Sequence, residues 1–322
     1  MSKNNQRDNH QQNRDREALK LMSYVCQSSS SNLLSKELGI LGYELVENYA
    51  VRNVAFPKYC SVVVQSVNNP SELYVLNRGI SRFHFNLFGF LEELSDVVDI
   101  TRSQVVQGAE ELRDIIDKIK RDFDITELTI VGHSRGALTA IYNADNEELD
   151  PLTKPNTRIV AVDSPGVNNF RVNNTNFIEY KALPNFLNSW GGLVSGNTLL
   201  VSPAEINYNI SYLEYSNSYH DIDNILENLE NSRHIMEWYD TGTAYNKFLS
   251  AGGKKDWFSS IFINGGKFLT NCNPSLASFI KTVSRYIDPD SYQNSLTCPA
   301  NEPFYSTELT LGGEVGKFDF SL

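Results

Sequence analysis

A serine flanked by glycines, Gly132-His133-Ser134-Arg135-Gly136, stands in this chain where nucleophilic chemistry could be built around it. A serine hydroxyl attacks poorly at neutral pH, so the chemistry also needs a base within hydrogen-bond reach and a third group that orients the base. Leu128, Thr129, Ile130 and Val131 before the motif form a short apolar, β-branched run that reads as a buried strand, and Ala137, Leu138, Ala140 and Ile141 after it continue as a helix former would. Strand, sharp turn and helix together make a nucleophile elbow. On such a turn the hydroxyl is exposed, and a Cβ at either glycine would clash with the neighbouring strand or helix. Ser134 is therefore the candidate nucleophile. The backbone N–H of Arg135 is the candidate oxyanion donor, at a helix start whose dipole offers positive potential. A chance pentapeptide is the competing reading, and the flanking elements argue against it.

The chain has five histidines to supply the base. His10 lies in a polar tail, His133 adjoins the nucleophile with its ring directed away from the hydroxyl, and His84 precedes the nucleophile, whereas elbow hydrolases order their groups serine, acid, histidine. His220 and His234 remain. His220 sits in NSYHDIDNILENL, between a Ser/Asn-rich stretch and an amphipathic helix through Ile222, Ile225, Leu226 and Leu229; His234, in ENSRHIMEWYDTG, has the same chemical ability. For the acid, the run Arg158-Ile159-Val160-Ala161-Val162 ends at Asp163, before the turn signal Ser164-Pro165-Gly166. A carboxylate at the carboxyl end of a parallel strand is where open α/β sheets gather functional groups. A turn-initiating aspartate is the plain alternative. Glu179, Asp221 and Asp223 are the other acids within reach, the last two better suited to a helix amino terminus. A second oxyanion donor is offered where the strand Leu73 to Asn77 breaks at Arg78-Gly79-Ile80-Ser81: the Ile80 N–H, against an ordinary strand-end turn.

Together these segments resemble the class 3 lipase group and its bacterial lipase-like relatives. That group has a strand ending in Arg-Gly-Thr or Arg-Gly-Ser, a long amphipathic helix, then Gly-His-Ser-x-Gly-Gly. Here the chain reads LYVLNRGIS, then RSQVVQGAEELRDIIDKIKRD with Val105, Ala109, Leu112, Ile116 and Ile119 on one face, then VGHSRGAL. Ile80 departs from the usual hydroxyl residue and Ala137 from a common glycine. AVDSPGV is similar to the family's strand-end acid turn, and YKALPNFLNSWGG followed by HDIDNIL to its Ala-Pro-Asn-x-Val-Asn and His-Ser-x-Asp-x-Ile segments. The resemblance covers roughly residues 60 to 250 and ranks His220 ahead of His234. It implies an α/β-hydrolase fold, a mostly parallel sheet flanked by helices, and a cofactor-free serine hydrolase with a Ser134-His220-Asp163 triad. It also gives Ile80 and Arg135 the oxyanion hole, and makes lipid or another acyl ester the substrate. An acyltransferase or thioesterase would use the same residues, and an inactive hydrolase-fold interaction protein is the third reading.

The 322 residues suit one large catalytic domain with extensions. Residues 1–30 include the stretch SKNNQRDNHQQNRDRE, too polar to offset its ordering entropy, and are expected to be disordered. Residues 31–250 are expected to form the hydrolase domain. Residues 251–322 would be an extension, packed on the core or serving as an export tail. No signal-peptide run and no stretch of eighteen apolar residues stands out, so the expectation is a soluble chain, cytoplasmic as synthesised, with delivery as a bacterial effector a further analogy. The net charge of −11 disfavours nucleic acid and electrostatic attachment to anionic lipid, leaving apolar contact to drive peripheral membrane binding. Oligomeric state is not legible. Four scattered cysteines show no zinc spacing, so no metal is expected, and Gly252-Gly253-Lys254-Lys255 lacks the form of a phosphate loop. Two segments, FHFNLFGFLEEL (Phe83 to Leu91) and NFLNSWGGLVSG (Phe186, Leu187, Trp190, Leu193), read either as a lid or acyl wall or as buried core.

Overall fold

Successive side chains of a strand face opposite ways, so an unbroken apolar run makes a strand that must be covered on both faces. The central runs of this chain meet that condition. A computed structural model of the protein describes residues 3–27, 31–46, 51–52, 60–78, 113–114, 116–118, 121–122, 124–146, 156–167, 171–172, 176–194, 197–235, 238–256, 259–260 and 263. Its strands are β1 (Tyr43–Leu45), β2 (Val51–Arg52), β3 (Cys60–Ser66), β4 (Glu72–Arg78), β5 (Glu127–His133), β6 (Asn156–Val162), β7 (Phe177–Lys181), β8 (Thr198–Leu200) and β9 (Arg233–His234). The helices are α1 (Lys3–Gln27), α2 (Ser31–Ile40), α3 (Arg135–Asn146), α4 (Tyr212–His220), α5 (Ile222–Glu227) and α6 (Thr241–Ser250).

One sheet contains all these strands in the order β1-β3-β4-β5-β6-β7-β8-β9, with β2 also paired to β3. Strands β4 to β8 run parallel, and the pairings at both edges are antiparallel. This is an α/β fold. On one face Val62, Val64, Tyr74, Leu76, Val131, Val160, Val162 and Tyr180 pack with α1, α2, α4, α5 and α6; on the other, Val63, Leu73, Val75, Leu128, Ile130, Ile159 and Ala161 pack with α3 and Ile116. In register, Gly132 of β5 lies opposite Asn77 of β4 and Ala161 of β6, so the three carboxyl ends finish side by side.

The expectation of disorder before residue 30 is corrected. Helix α1 spans Lys3–Gln27, and Ala18, Leu19, Leu21, Met22 and Val25 are fully buried against the sheet. These apolar residues recur on one stripe, and the polar residues preceding them are not all solvated. Asp15 is buried in a two-pronged ion pair with Arg158 (2.9 and 2.7 Å) and accepts a hydrogen bond from Tyr180. Arg14 donates to the Thr129 hydroxyl and the Leu128 carbonyl. Burying a charge requires a partner, and here the partners lie in β5, β6 and β7.

The extension after residue 250 starts without a break in packing: Lys254 bridges to Ser211 and Ile263 is buried in the core. Phe186, Leu187 and Trp190 are buried as well, with Phe186 and Trp190 edge to face at 5.3 Å, so that segment is core and not lid. Phe83 to Leu91 lie outside the described residues. Among the described residues no helix is long and apolar enough to cross a membrane, and no group of side chains could hold a metal ion.

Candidate active site

Strand β5 delivers Ser134 into a left-handed backbone conformation, φ +57°, between the strand and α3. Such a conformation costs an L-residue about 1–2 kcal/mol, and the surroundings hold it: the Ser134 N–H donates to the Val162 carbonyl (2.9 Å) and the Ala137 N–H to the Ser134 carbonyl (2.9 Å). The flanking glycines make the turn possible. A Cβ on Gly132 would lie 2.2 Å from the Gly136 carbonyl oxygen, and one on Gly136 would lie 2.1 Å from that of Asn77. Arg135 begins α3, where backbone N–H groups lack intrahelical acceptors. Ile80, the other expected oxyanion donor, lies outside the described residues.

Asp163 follows β6 in the same strained region, φ +47°, and these are the two described non-glycine residues with positive φ. The Asp163 N–H donates to the Tyr180 carbonyl. Its carboxylate is fully buried and shared among three donors: Oδ1 accepts from the Ala182 N–H (2.8 Å) and the Asn188 amide (2.7 Å), and Oδ2 accepts from His220 Nδ1 (2.5 Å). Burial pushes this carboxyl up, but the hydrogen bond and charge of His220, with the Lys181 ammonium and the Asn188 amide, outweigh burial and hold it below its ordinary value.

His220 closes α4, a helix fixed at both ends. At its start Ser211 and Glu214 exchange capping hydrogen bonds of 3.2 and 2.8 Å, and along it Tyr212, Tyr215 and Tyr219 are buried, two of them against Phe248 of α6. The chain then leaves the helix at Asp221, which presents the imidazole over the strand ends. His220 Nε2 stands 2.8 Å from Ser134 Oγ. In the neutral ring, with Nδ1–H committed to Asp163, Nε2 carries the lone pair and accepts from the hydroxyl. The arrangement can move a proton from serine to imidazole next to a carboxylate that stabilises the imidazolium.

Of the residues singled out in the sequence, Ser134, His220 and Asp163 are thus brought into one hydrogen-bonded line. His234 is not: it lies exposed in β9, at the sheet edge beside β8. Asp221 caps α5 by accepting the Asp223 N–H, and Asp223 itself takes hydrogen bonds from Ser23 and Gln27 of α1. Glu179 is buried with Ser164, Thr198 and Lys181.

No family model matches the chain. A search of curated proteins also finds no match. Among solved structures, the native Rhizomucor miehei lipase propeptide complex aligns at 13% identity over 52% of this chain and 61% of that chain, with a TM-score of 0.32. A two-residue deletion mutant of the same complex aligns at 13% identity over 58% and 67%, with a TM-score of 0.36. Likeness at this level carries no argument about fold or activity.

Three supporting groups went unread in the sequence. Asn188 holds Asp163, and its own carbonyl accepts from Lys181 Nζ (3.1 Å), a fully buried ammonium that also donates to the Ser164 carbonyl (2.6 Å) and lies 4.7 Å from the Trp238 ring centre. The third is His133, whose ring does turn away from the Ser134 hydroxyl and finds the His220 backbone instead. Asn185 and Asn188 were visible only as a family-like Pro-Asn-x-x-Asn pattern without roles.

The lowered carboxyl has a consequence for acid stability. A group whose folded value lies below its unfolded value, about 3.9 for aspartate, contributes stability above that value and loses it as pH falls through the folded one. The gap in unfolding free energy between wild type and Asp163→Asn is therefore expected to be widest near neutrality and to narrow below about pH 4. A gap that stays constant down the acid limb, measured by urea unfolding, would show that the carboxylate is not held in its charged form.

Proposed function

We propose that this chain is a serine hydrolase of the α/β-hydrolase type that cleaves acyl esters, with lipid or phospholipid as the substrate class. The observation that carries the reading is the hydrogen-bonded line from Ser134 Oγ through His220 to Asp163, with the serine strained at the tip of a strand–helix turn. His220 Nε2 takes the hydroxyl proton as Oγ bonds to the ester carbonyl carbon, and the Asp163 carboxylate stabilises the resulting imidazolium. The carbonyl oxygen, now negative, is met by the Arg135 N–H and, following the class 3 lipase resemblance, by the Ile80 N–H. Collapse expels the alcohol with the proton from His220 and leaves an acyl-serine. Water then attacks that ester, gives a proton to Nε2, and releases the fatty acid as Oγ recovers the proton. Every step is proton and acyl transfer at these side chains.

A fluorophosphonate probe tests the reading directly, since it forms a stable bond only with an activated serine. Labelling of wild type at Ser134, blocked by Ser134→Ala, is the expected outcome. A folded wild-type protein that takes up no label would overturn the proposal. Incubating the active protein with a mixed lipid extract, and identifying released fatty acid and lysolipid by mass spectrometry, then narrows the substrate.

A further inference from the structure

His133 and Ser134 are consecutive, point in different directions, and grip the same histidine at two places. Ser134 Oγ meets the His220 ring at Nε2, while His133 Nε2 lies 2.9 Å from the His220 backbone carbonyl. That carbonyl belongs to the last residue of α4, where helix carbonyls have no intrahelical donor and must be satisfied from outside. A carbonyl can only accept, so the His133 proton sits on Nε2. Nδ1 of the neutral ring is then an acceptor, and the atom beside it is Cys26 Sγ of α1 at 3.7 Å, a weak donor suited to a lone pair. The two imidazoles lie with centres 5.0 Å apart and planes 36° to each other, so the ring also walls one side of His220.

The geometry points to His133 as a positioning residue for the base, an inference that rests on the hydrolase reading above. Because His133 and Ser134 leave the same strand end, a single rigid element sets both the nucleophile and the backbone from which the base hangs. A shift of α4 that would change the separation of Ser134 Oγ and His220 Nε2 is then resisted, since it would also break the His133 hydrogen bond. Helix α1 backs this bracket from behind. Its Cys26 faces His133, and its Ser23 and Gln27 hold Asp223 in the helix that follows His220.

The test uses two unbranched side chains of similar length that differ in having an N–H to donate. His133→Gln keeps a donor for the His220 carbonyl; His133→Met does not. On a short-chain p-nitrophenyl ester, with kcat and KM measured separately, His133→Met is expected to lose about tenfold in kcat with KM within about twofold, and His133→Gln to recover most of that loss. A Met variant with wild-type kcat, or a Gln variant as slow as the Met one, overturns the positioning role. Should the Met variant fail to fold, nitrogen NMR of the wild-type imidazoles decides: a His133 ring protonated on Nε2 supports the inference, and one protonated only on Nδ1 overturns it. Fluorophosphonate labelling on the same wild-type preparation keeps the two readings apart. An unlabelled Ser134 removes the hydrolase reading, whereas a labelled Ser134 with unaltered His133→Met removes the bracket alone.

Discussion

His220→Ala is expected to slow single-turnover acylation by about ten-thousandfold or more, close to the loss from Ser134→Ala, because a serine, its base and the orienting acid act as a unit. The two losses should not add in the double variant. His234→Ala is expected to leave the rate within about twofold, since that residue is exposed on the edge strand β9 and belongs to no part of the hydrogen-bonded line. Far-ultraviolet dichroism should stay near wild type in all three and the unfolding temperature in Ser134→Ala and His234→Ala, whereas His220→Ala should melt at a lower temperature because it removes a donor from the buried Asp163 carboxylate. An inactive His234→Ala beside an active His220→Ala would reverse the assignment of the base while leaving Ser134 as nucleophile.

Gly136→Ala carries the largest expected cost to stability, about 3 kcal/mol or more. The added methyl would lie 2.1 Å from the Asn77 oxygen, 2.8 Å from the Asn77 carbonyl carbon and 2.9 Å from that of Arg78, and all three are backbone atoms that no side-chain rotation can move. Strand β4 cannot retreat cheaply. Asn77 is fully buried, its amide donates to the Val131 carbonyl (2.8 Å) and its oxygen accepts from Ser61 (2.6 Å). Urea denaturation measures the loss; a variant within about 1 kcal/mol of wild type would show that helix and strand do not approach so closely. Residual activity should fall too, because β4 runs out at Arg78 directly before the segment expected to supply an oxyanion donor.

How much of this could be read from residues depends on how far each cause reaches along the chain. The elbow is local: strand, glycines, serine and helix occupy neighbouring positions, and the steric reason for both glycines is contained in the motif. Asp163 was readable in the same way, from a strand running into a turn. Its left-handed φ and its bond to Asn188 were not, since the Asn188 amide comes from a loop whose shape depends on the buried Lys181. His220 and His234 are chemically alike and both lie near helix boundaries, so only the family pattern ranked them. The amino-terminal helix was misread for a related reason. Its composition is polar, and the atoms that make burial of Arg14 and Asp15 tolerable belong to Thr129, Arg158 and Tyr180. The role of His133 has no local cause, since the carbonyl it meets belongs to His220, 87 residues further on.

The partners of α1 also fix when it can take its place. Arg14 reaches across 115 residues to Thr129, Asp15 across 143 to Arg158 and 165 to Tyr180, and Arg16 across 214 to Glu230. At about 5–20 residues per second of synthesis, the ribosome delivers those partners on the order of ten seconds or more after the helix has emerged. Through that interval Asp15 and Arg16 lack the Arg158 and Glu230 side chains that pair with them in the finished fold. The ion pairs of α1 are thus completed late in the birth of the molecule, after the β5 strand that brings His133 to the thiol of Cys26. A nascent chain halted before residue 158 would carry α1 and the whole elbow, serine included, without the arginine that pairs with the buried Asp15.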